Sequence, residues 1–273
     1  MSTLRDPEKV PYSDITHVIE TDAIGVEYGT FRGCLDGTWL SSSPDPMTWQ
    51  RSGGFAKGLW DKGVRSVVVG DLTEEWYLYS IAHPFGSPTD IALNLGRYYP
   101  DEVVQKITRM YKTLPDNATA PEVERLFGEM LSDGQVHLPV RLLARDLCNA
   151  GFPVLRYEIR WTPEQMRQKG ESAVISIHKL LIFHRGIGYV THATDRSLWT
   201  VAVPWLEPPQ LDVARAWLDA VAEEIKYTES NTKTVRGVRE VLTLKEDRTI
   251  KWSTDSRWED MMKLATVLPG EAR

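Results

Sequence analysis

A short apolar run that ends in an acidic cluster constrains the fold of this chain most strongly. Residues 64–70 form a nearly continuous apolar stretch, and Gly70 to Trp76 follows as GDLTEEW. Such a run is typical of a parallel strand that is covered on both faces. A second strand candidate, Pro153 to Trp161 (PVLRYEIRW), lies further along the chain. The two runs predict an α/β protein in which these strands are adjacent and parallel.

Helical patterns fill the space between the two strand candidates. Apolar residues recur at helical spacing in three segments, 103–111, 123–131 and 140–148. The third stripe consists of Val140, Leu143, Ala144, Leu147 and Cys148. The strand–helices–strand order predicts a crossover connection of one hand.

The C-terminal part predicts a helix, a hairpin and a second helix. Residues 211–225 carry an amphipathic pattern after Pro208-Pro209. Residues 238–244 and 249–252 predict a hairpin. A capping box of Ser256 and Glu259 predicts the start of the last helix.

Composition excludes several classes of protein. The chain has 273 residues, of which 42% are hydrophobic, so it can bury a sizeable core. Its net charge of −6 gives no electrostatic reason to expect nucleic acid or an anionic membrane as a partner. The longest apolar stretch, Ala173 to Phe183, is too short and too polar to be a membrane span. The charged, proline-broken N-terminus is not a signal peptide, so we expect a cytoplasmic protein.

The two cysteines predict neither a metal site nor a redox site. Cys34 and Cys148 lie among apolar or small residues, without C-x-x-C spacing or a nearby histidine. Two buried free thiols are favoured over a disulfide. We therefore expect no metal and no cofactor.

Two loops carry residues suited to catalysis. GDLTEEW follows a buried strand, and GYVTHATDRSLW, Gly188 to Trp199, contains a histidine. A carboxylate after a strand, followed later by a histidine, is the acid-then-base order of the α/β-hydrolases, in which the nucleophile comes first on a G-x-S-x-G elbow. No such elbow precedes Gly70.

The chain resembles the C-terminal half of a type-B carboxylesterase of the fungal branch. The resemblance rests on FRGCLDGTWL, RSVVVGDLTEEW, LRYEIRW, GYVTHATDRSLWTVAVPWL and KEDRTIKWSTDSRWEDMM, which occur in the family's order. It implies a single partial α/β-hydrolase domain over residues 1–273, with a mostly parallel sheet flanked by helices and a C-terminal hairpin and helix. It also implies a small-molecule carboxylic ester as substrate if the missing half completes the enzyme.

The resemblance assigns Glu75 as the triad acid and His192 as the triad base. Gly70 and Glu74 occupy the flanking positions of the family's acid motif, whereas Trp76 stands where many members have glycine and is expected to crowd the turn. A carboxylate at a strand end can hold the Nδ1 proton of an imidazole and leave Nε2 as general base.

The resemblance also implies that the nucleophile elbow and the glycine-rich oxyanion loop precede the part of the family that this chain matches. Gly170 to Val174, GESAV, is similar to the elbow, but a β-branched valine replaces the final glycine and the segment follows the acid. We interpret the similarity of the segment around Ser172 to the elbow as a coincidence. We expect the chain alone to be inactive.

Residues 170–186 have no counterpart in the family and are interpreted as an insertion. A retained intron is one hypothesis, and a genuine extra strand is the alternative, because residues 173–177 suit β structure. His178 and His184 within this segment are treated as incidental. Two function classes stay open, a carboxylic-ester hydrolase that lacks its nucleophile half and a non-catalytic remnant or interaction module.

Overall fold

The computed structural model describes residues 6, 8–20, 36–38, 40–81, 83, 85, 87–167, 188–230 and 236–271. Cys34, Ser172, His178, His184 and the predicted insertion at 170–186 lie outside the described residues, as does most of the FRGCLDGTWL motif. Within the described ranges, no helix has both the length and the hydropathy that a membrane span requires.

Within the described residues, helices precede, separate and follow the strands. In order, they are α1 (Tyr12–Glu20), α2 (Pro46–Arg51), α3 (Gly54–Asp61), β1 (Val67–Leu72), α4 (Trp76–Ser80), α5 (Asp90–Leu95), α6 (Asp101–Thr108), α7 (Ala120–Ser132), a π-helical turn (Asp133–His137), α8 (Leu138–Asn149), β2 (Val154–Ile159), α9 (Glu164–Arg167), α10 (Arg196–Thr200), α11 (Pro208–Ser230), β3 (Glu240–Leu244), β4 (Ile250–Thr254) and α12 (Trp258–Ala265).

The strands form one mixed sheet in the order β1-β2-β3-β4. β1 pairs with β2 in parallel, with Val67 opposite Val154 and Leu72 opposite Ile159, which confirms the predicted adjacency. β2 pairs with β3 in parallel, and β3 forms the predicted hairpin with β4. The carboxyl ends of three parallel strands therefore meet at one edge of the sheet, where α/β proteins place their sites.

Alternating side chains divide the core between the two faces of the sheet. Leu155 and Ile159 of β2 pack with Trp217 of α11 on one face. Val154 packs with Phe152 and with Ala144 and Leu147 of α8 on the other face. A third cluster joins α5, α6 and α7 to α12. The result is an α/β fold with helices on both faces of the sheet.

β1 differs from its prediction in extent and in burial. It runs two residues beyond Gly70, to Leu72, and Val67, Val68 and Val69 are only partly buried. No strand among the described residues pairs with the edge of β1 that faces away from β2. A strand at the edge of a sheet has fewer neighbours to cover it, and this explains the partial exposure.

Two details of the helices were predicted wrongly. The buried face of α8 contains Arg141 and Asp146, whereas Val140 and Leu143 of the predicted apolar stripe are only partly buried. The capping box of Ser256 and Glu259 is absent. Asp255 Oδ1 accepts from the Arg257 backbone N–H at 3.0 Å instead, and Glu259 pairs with Arg239.

A buried ion network explains the burial of Arg141 and the missing capping box. Arg141, only 1% exposed, donates to Asp71 Oδ2 and to Asp255 Oδ1, the latter at 2.8 Å. His137 Nδ1 lies 2.9 Å from Asp71 Oδ2. Arg156 Nη2 forms an ion pair at 2.7 Å with Asp255 Oδ2, outside hydrogen-bond geometry. The network connects β1, α8, β2 and the start of α12.

The network also links folding to pH. Burial alone would raise the pKa of Asp71, but the hydrogen bond from His137 and the positive charge of Arg141 outweigh burial and hold that pKa well below its ordinary value. A carboxyl group whose pKa is lowered by folding stabilises the protein above its unfolded pKa of about 3.9, and this stability is lost as the pH falls toward the folded pKa.

We predict that Arg141→Met destabilises the fold strongly, because it leaves the buried Asp71 and Asp255 without their shared cation. The expected loss in the free energy of unfolding is about 3–5 kcal/mol, measured by urea denaturation at pH 7. Arg215→Met is the matched control, since Arg215 is exposed and lies 3.8 Å from Asp212. The control should lose less than about 0.5 kcal/mol. Equal losses in the two variants would contradict the structural role of the network.

Candidate active site

The acid loop, residues 73–75, connects β1 to α4 at the carboxyl edge of the sheet. The Thr73 N–H donates to the Ile159 carbonyl at 3.3 Å, and Arg257 donates to the Thr73 carbonyl at 2.8 Å. The Leu72 N–H donates to Glu75 Oε1 at 3.3 Å. One carboxylate oxygen of Glu75 is therefore tied to the end of β1, and the other is available to a neighbouring loop.

Two glycines allow the acid loop to reach this position. A Cβ at Gly70 would collide with the carbonyl and ring of Tyr157, the residue opposite it in β2. A Cβ at Gly128 of α7 would collide with the Trp76 carbonyl at the start of α4. Only glycine permits both close approaches.

The histidine loop, residues 188–195, precedes α10. Thr194 closes a turn around the histidine, since its N–H and its Oγ1 donate to the Thr191 carbonyl at 3.0 and 2.7 Å. Val190 and Thr191 are buried, which anchors the start of that turn in the core. Ala193 has φ +63°, a left-handed conformation that costs a non-glycine residue roughly 1 kcal/mol or more.

Glu75 and His192 meet where the two loops face each other. Glu75 Oε2 lies 3.0 Å from His192 Nδ1. The Glu75 side chain is 2% exposed, whereas that of His192 is 47% exposed. In the part of the chain that the structure describes, Nδ1 is the ring nitrogen of His192 with a hydrogen-bond partner, and no hydroxyl or thiol group is bonded to Nε2.

The carboxylate makes the imidazole more basic. The hydrogen bond to Glu75 raises the pKa of His192 above its ordinary value of 6.5, against the opposing effect of burial, and the charges of Glu75 and Asp195 add to the rise. A buried carboxylate bound to Nδ1 also fixes the tautomer that carries its proton on that nitrogen. The pair can therefore accept a proton at Nε2.

Asp195 is a third acidic residue near the pair, and no role was predicted for it from the sequence. It is buried, and its Oδ2 accepts from Trp199 Nε1 at 2.8 Å. Burial raises the pKa of Asp195, although the Trp199 hydrogen bond opposes this, and the nearby charge of Glu75 raises it further. The only sequence signal was its position three residues after His192 in THATD.

Trp76 does not crowd the acid loop as expected. Glu75 keeps ordinary helical angles, φ −53° and ψ −29°. The Trp76 ring lies under the Arg125 guanidinium at 3.6 Å and meets Tyr189 of the histidine loop edge-on at 4.9 Å. The tryptophan thus contacts the loop that carries His192.

The described side chains of the site form no arrangement suited to a metal. Within the described ranges, no group of three or more histidine, cysteine or carboxylate side chains could hold a metal ion. The half-exposed imidazole of His192 is oriented by the buried carboxylate of Glu75, which is the geometry of a general base.

We predict that the Glu75→Gln substitution lowers the pKa of His192 toward its ordinary value, because a neutral amide cannot stabilise the imidazolium as a carboxylate does. The measurement is a pH titration of the His192 ring signals by NMR. Glu246→Gln is the control, since it removes one carboxylate from the exposed turn of the β3–β4 hairpin. The control should leave the His192 pKa unchanged. If Glu75→Gln also leaves the His192 pKa unchanged, the pairing of Glu75 with His192 is contradicted.

Comparison with known proteins gives a distant similarity to an esterase. No protein-family model matches the chain. The chain is 25% identical over 269 residues to a Schizosaccharomyces pombe protein described as an uncharacterized esterase/lipase. The alignment covers 96% of this chain and 46% of the S. pombe protein, so the chain spans about half the length of that relative. This chain is similar to an esterase/lipase over nearly its whole length.

Proposed function

We propose that this chain carries the acid and base of a carboxylic-ester hydrolase, with Glu75 as acid and His192 as base of a Ser-Glu-His triad. The observation that supports this most directly is the 3.0 Å contact between Glu75 Oε2 and His192 Nδ1 at the carboxyl edge of the parallel strands. The similarity to an esterase/lipase points to the same chemistry.

The proposed fold is the C-terminal half of an α/β-hydrolase domain of the type-B carboxylesterase kind, fungal branch. The parallel β1 and β2, the acid loop after β1 and the histidine loop before α11 follow the expected order. We propose that residues 1–273 belong to one such domain. The chain contains no G-x-S-x-G motif, so the nucleophile in this proposal comes from outside it.

The chemistry follows from the geometry of the pair. Glu75 holds the Nδ1 proton, and His192 Nε2 takes the proton of the serine hydroxyl as that oxygen attacks the ester carbonyl. The imidazolium that forms is stabilised by the buried Glu75 carboxylate. His192 then returns the proton to the leaving alkoxide, and the same base activates the water that hydrolyses the acyl-enzyme.

The state of His192 sets the pH dependence of this reaction. General-base action needs the neutral imidazole, and Glu75 raises the pKa at which that form is lost. The rate should therefore decline as the pH falls through the raised pKa of His192. Folding stability has the opposite dependence, because the interaction with protonated His192 is fully present below about pH 6.5 and is lost as the pH rises through the folded pKa.

The substrate class is a small-molecule carboxylic ester. A non-catalytic remnant is the alternative that the sequence left open, and it predicts no dependence of any ester turnover on Glu75 or His192. A fusion protein distinguishes the hydrolase from the non-catalytic remnant. In it, this chain is joined to the part of the S. pombe relative that lies outside the matched region, where we propose that the nucleophile lies.

We predict that the chain alone does not hydrolyse a short-chain nitrophenyl ester above background, and that the fused protein does. In the fused protein, His192→Ala should lower kcat/KM by a factor on the order of 10³ or more, since residues of a triad act as a unit. His17→Ala, a change at an exposed position of α1, is the control and should keep full turnover.

Two results would overturn the proposal. Fused protein that keeps its turnover in both His192→Ala and Glu75→Gln would exclude these residues as base and acid. Robust turnover by the chain alone, abolished by both His192→Ala and Ser172→Ala, would show that the chain supplies its own nucleophile and that GESAV was misinterpreted.

A further inference from the structure

Glu74, the residue next to the proposed acid, is bound to the histidine loop through two hydrogen bonds. The Glu74 N–H donates to the Val190 carbonyl at 2.9 Å. The Val190 N–H donates to Glu74 Oε2 at 2.7 Å. Both backbone polar groups of Val190 are therefore satisfied by one residue of the acid loop.

Glu74 and Val190 each lie in a segment that is also held by contacts with the rest of the fold. The residue before Glu74, Thr73, is bonded to the end of β2 and to Arg257, which also contacts Glu158 Oε1 at 3.0 Å. The Val190 side chain is 3% exposed and packs in the cluster that contains Leu72 and Leu198. The contact therefore joins two segments that are each held in place by other contacts.

The spacing places this contact at the proposed acid–base pair. Glu74 immediately precedes Glu75, and Val190 lies two residues before His192. Thr191, between them, is buried and accepts both hydrogen bonds that close the turn around His192. A change in the position of Val190 would move the start of that turn and with it the imidazole.

We propose that Glu74 is a positioning residue, whose carboxylate holds the histidine loop in the register that brings His192 Nδ1 to Glu75. This rests on the proposed acid and base roles of Glu75 and His192. Glu74 does not itself contact the reacting atoms in this account. Its carboxylate serves as a hydrogen-bond acceptor for a backbone N–H that would otherwise be buried without a partner.

Two substitutions separate the hydrogen bond from the charge. Glu74→Gln removes the charge but keeps a carbonyl oxygen that can accept from the Val190 N–H. Glu74→Met removes the same charge, has a similar length and offers only a weak sulfur acceptor. Any electrostatic effect of Glu74 on His192 is therefore equal in the two variants, and a difference between them reports the hydrogen bond.

The test is the NMR titration of His192 in the wild-type chain, Glu74→Gln, Glu74→Met and Glu75→Gln. We expect Glu74→Gln to keep the His192 pKa near the wild-type value. In Glu74→Met it should fall by at least half of the decrease that Glu75→Gln causes, because the imidazole no longer stays within reach of the carboxylate. Glu102→Met, on the exposed side of α6, is the matched control and should leave the His192 pKa unchanged.

The outcomes distinguish this proposal from the one on which it rests. If Glu75→Gln lowers the His192 pKa but Glu74→Met behaves like Glu74→Gln, the role of Glu74 is overturned and the acid–base pair stands. If Glu75→Gln has no effect, the pair is overturned and the role of Glu74 with it.

A second measurement needs no variant that risks misfolding. Amide hydrogen exchange of the wild-type chain should show the Val190 N–H strongly protected, and Glu74→Gln should keep that protection. Exchange of the Val190 amide in the wild type at the rate of an unprotected amide would overturn the proposal whatever the behaviour of Glu74→Met.

Discussion

A buried ion network around Asp71 and Arg141 ties the end of β1 to helix α8 and to the end of the β3–β4 hairpin. Asp71 lies one residue before the end of β1, and Arg141 connects it to Asp255 at the start of α12. Buried charges are tolerated only when they are paired, so these groups fix the strand, helix α8 and the end of the hairpin in one arrangement. The acid loop begins two residues after Asp71. Its position therefore follows from the network as much as from the sheet.

Much of the fold could be predicted from apolar patterns. Helix α11 and the C-terminal hairpin were predicted correctly, because hydrophobic spacing determines them locally. The parallel pairing of β1 with β2 was also predicted correctly, from the strand–helices–strand order of the segments between them. The buried face of α8 was not, since Arg141 and Asp146 count as polar in any such pattern. The burial of Arg141 depends on Asp71 and Asp255, which lie 70 and 114 residues away in the sequence. Asp146 is instead bound by Gln50, whose Nε2 donates to its Oδ2 at 2.8 Å. The missing capping box has the same cause, because Asp255 is held by that network and accepts from the Arg257 N–H.

At the candidate site, too, some features could be predicted from the sequence and others depend on tertiary contacts. The family resemblance predicted that Glu75 and His192 act together, and the structure places these two residues, 117 positions apart in the sequence, within hydrogen-bond distance. The resemblance placed Glu74 in a motif without giving it a partner, and it did not mark Asp195. Their contacts, with Val190 and with Trp199, depend on how the two loops face each other across the sheet edge. Loop conformation of this kind is set by tertiary contacts and not by the spacing of residues.

The proposed acid–base pair requires that the buried Glu75 carboxylate holds the Nδ1 proton of His192. It is tested by the proton NMR spectrum of the wild-type chain, because an imidazole N–H proton that is hydrogen-bonded to a buried carboxylate resonates far downfield. We expect one such signal, coupled to a ring nitrogen of His192 and absent from both Glu75→Gln and His192→Ala. A wild-type spectrum in which the His192 Nδ1 proton exchanges with solvent and gives no downfield signal would contradict it.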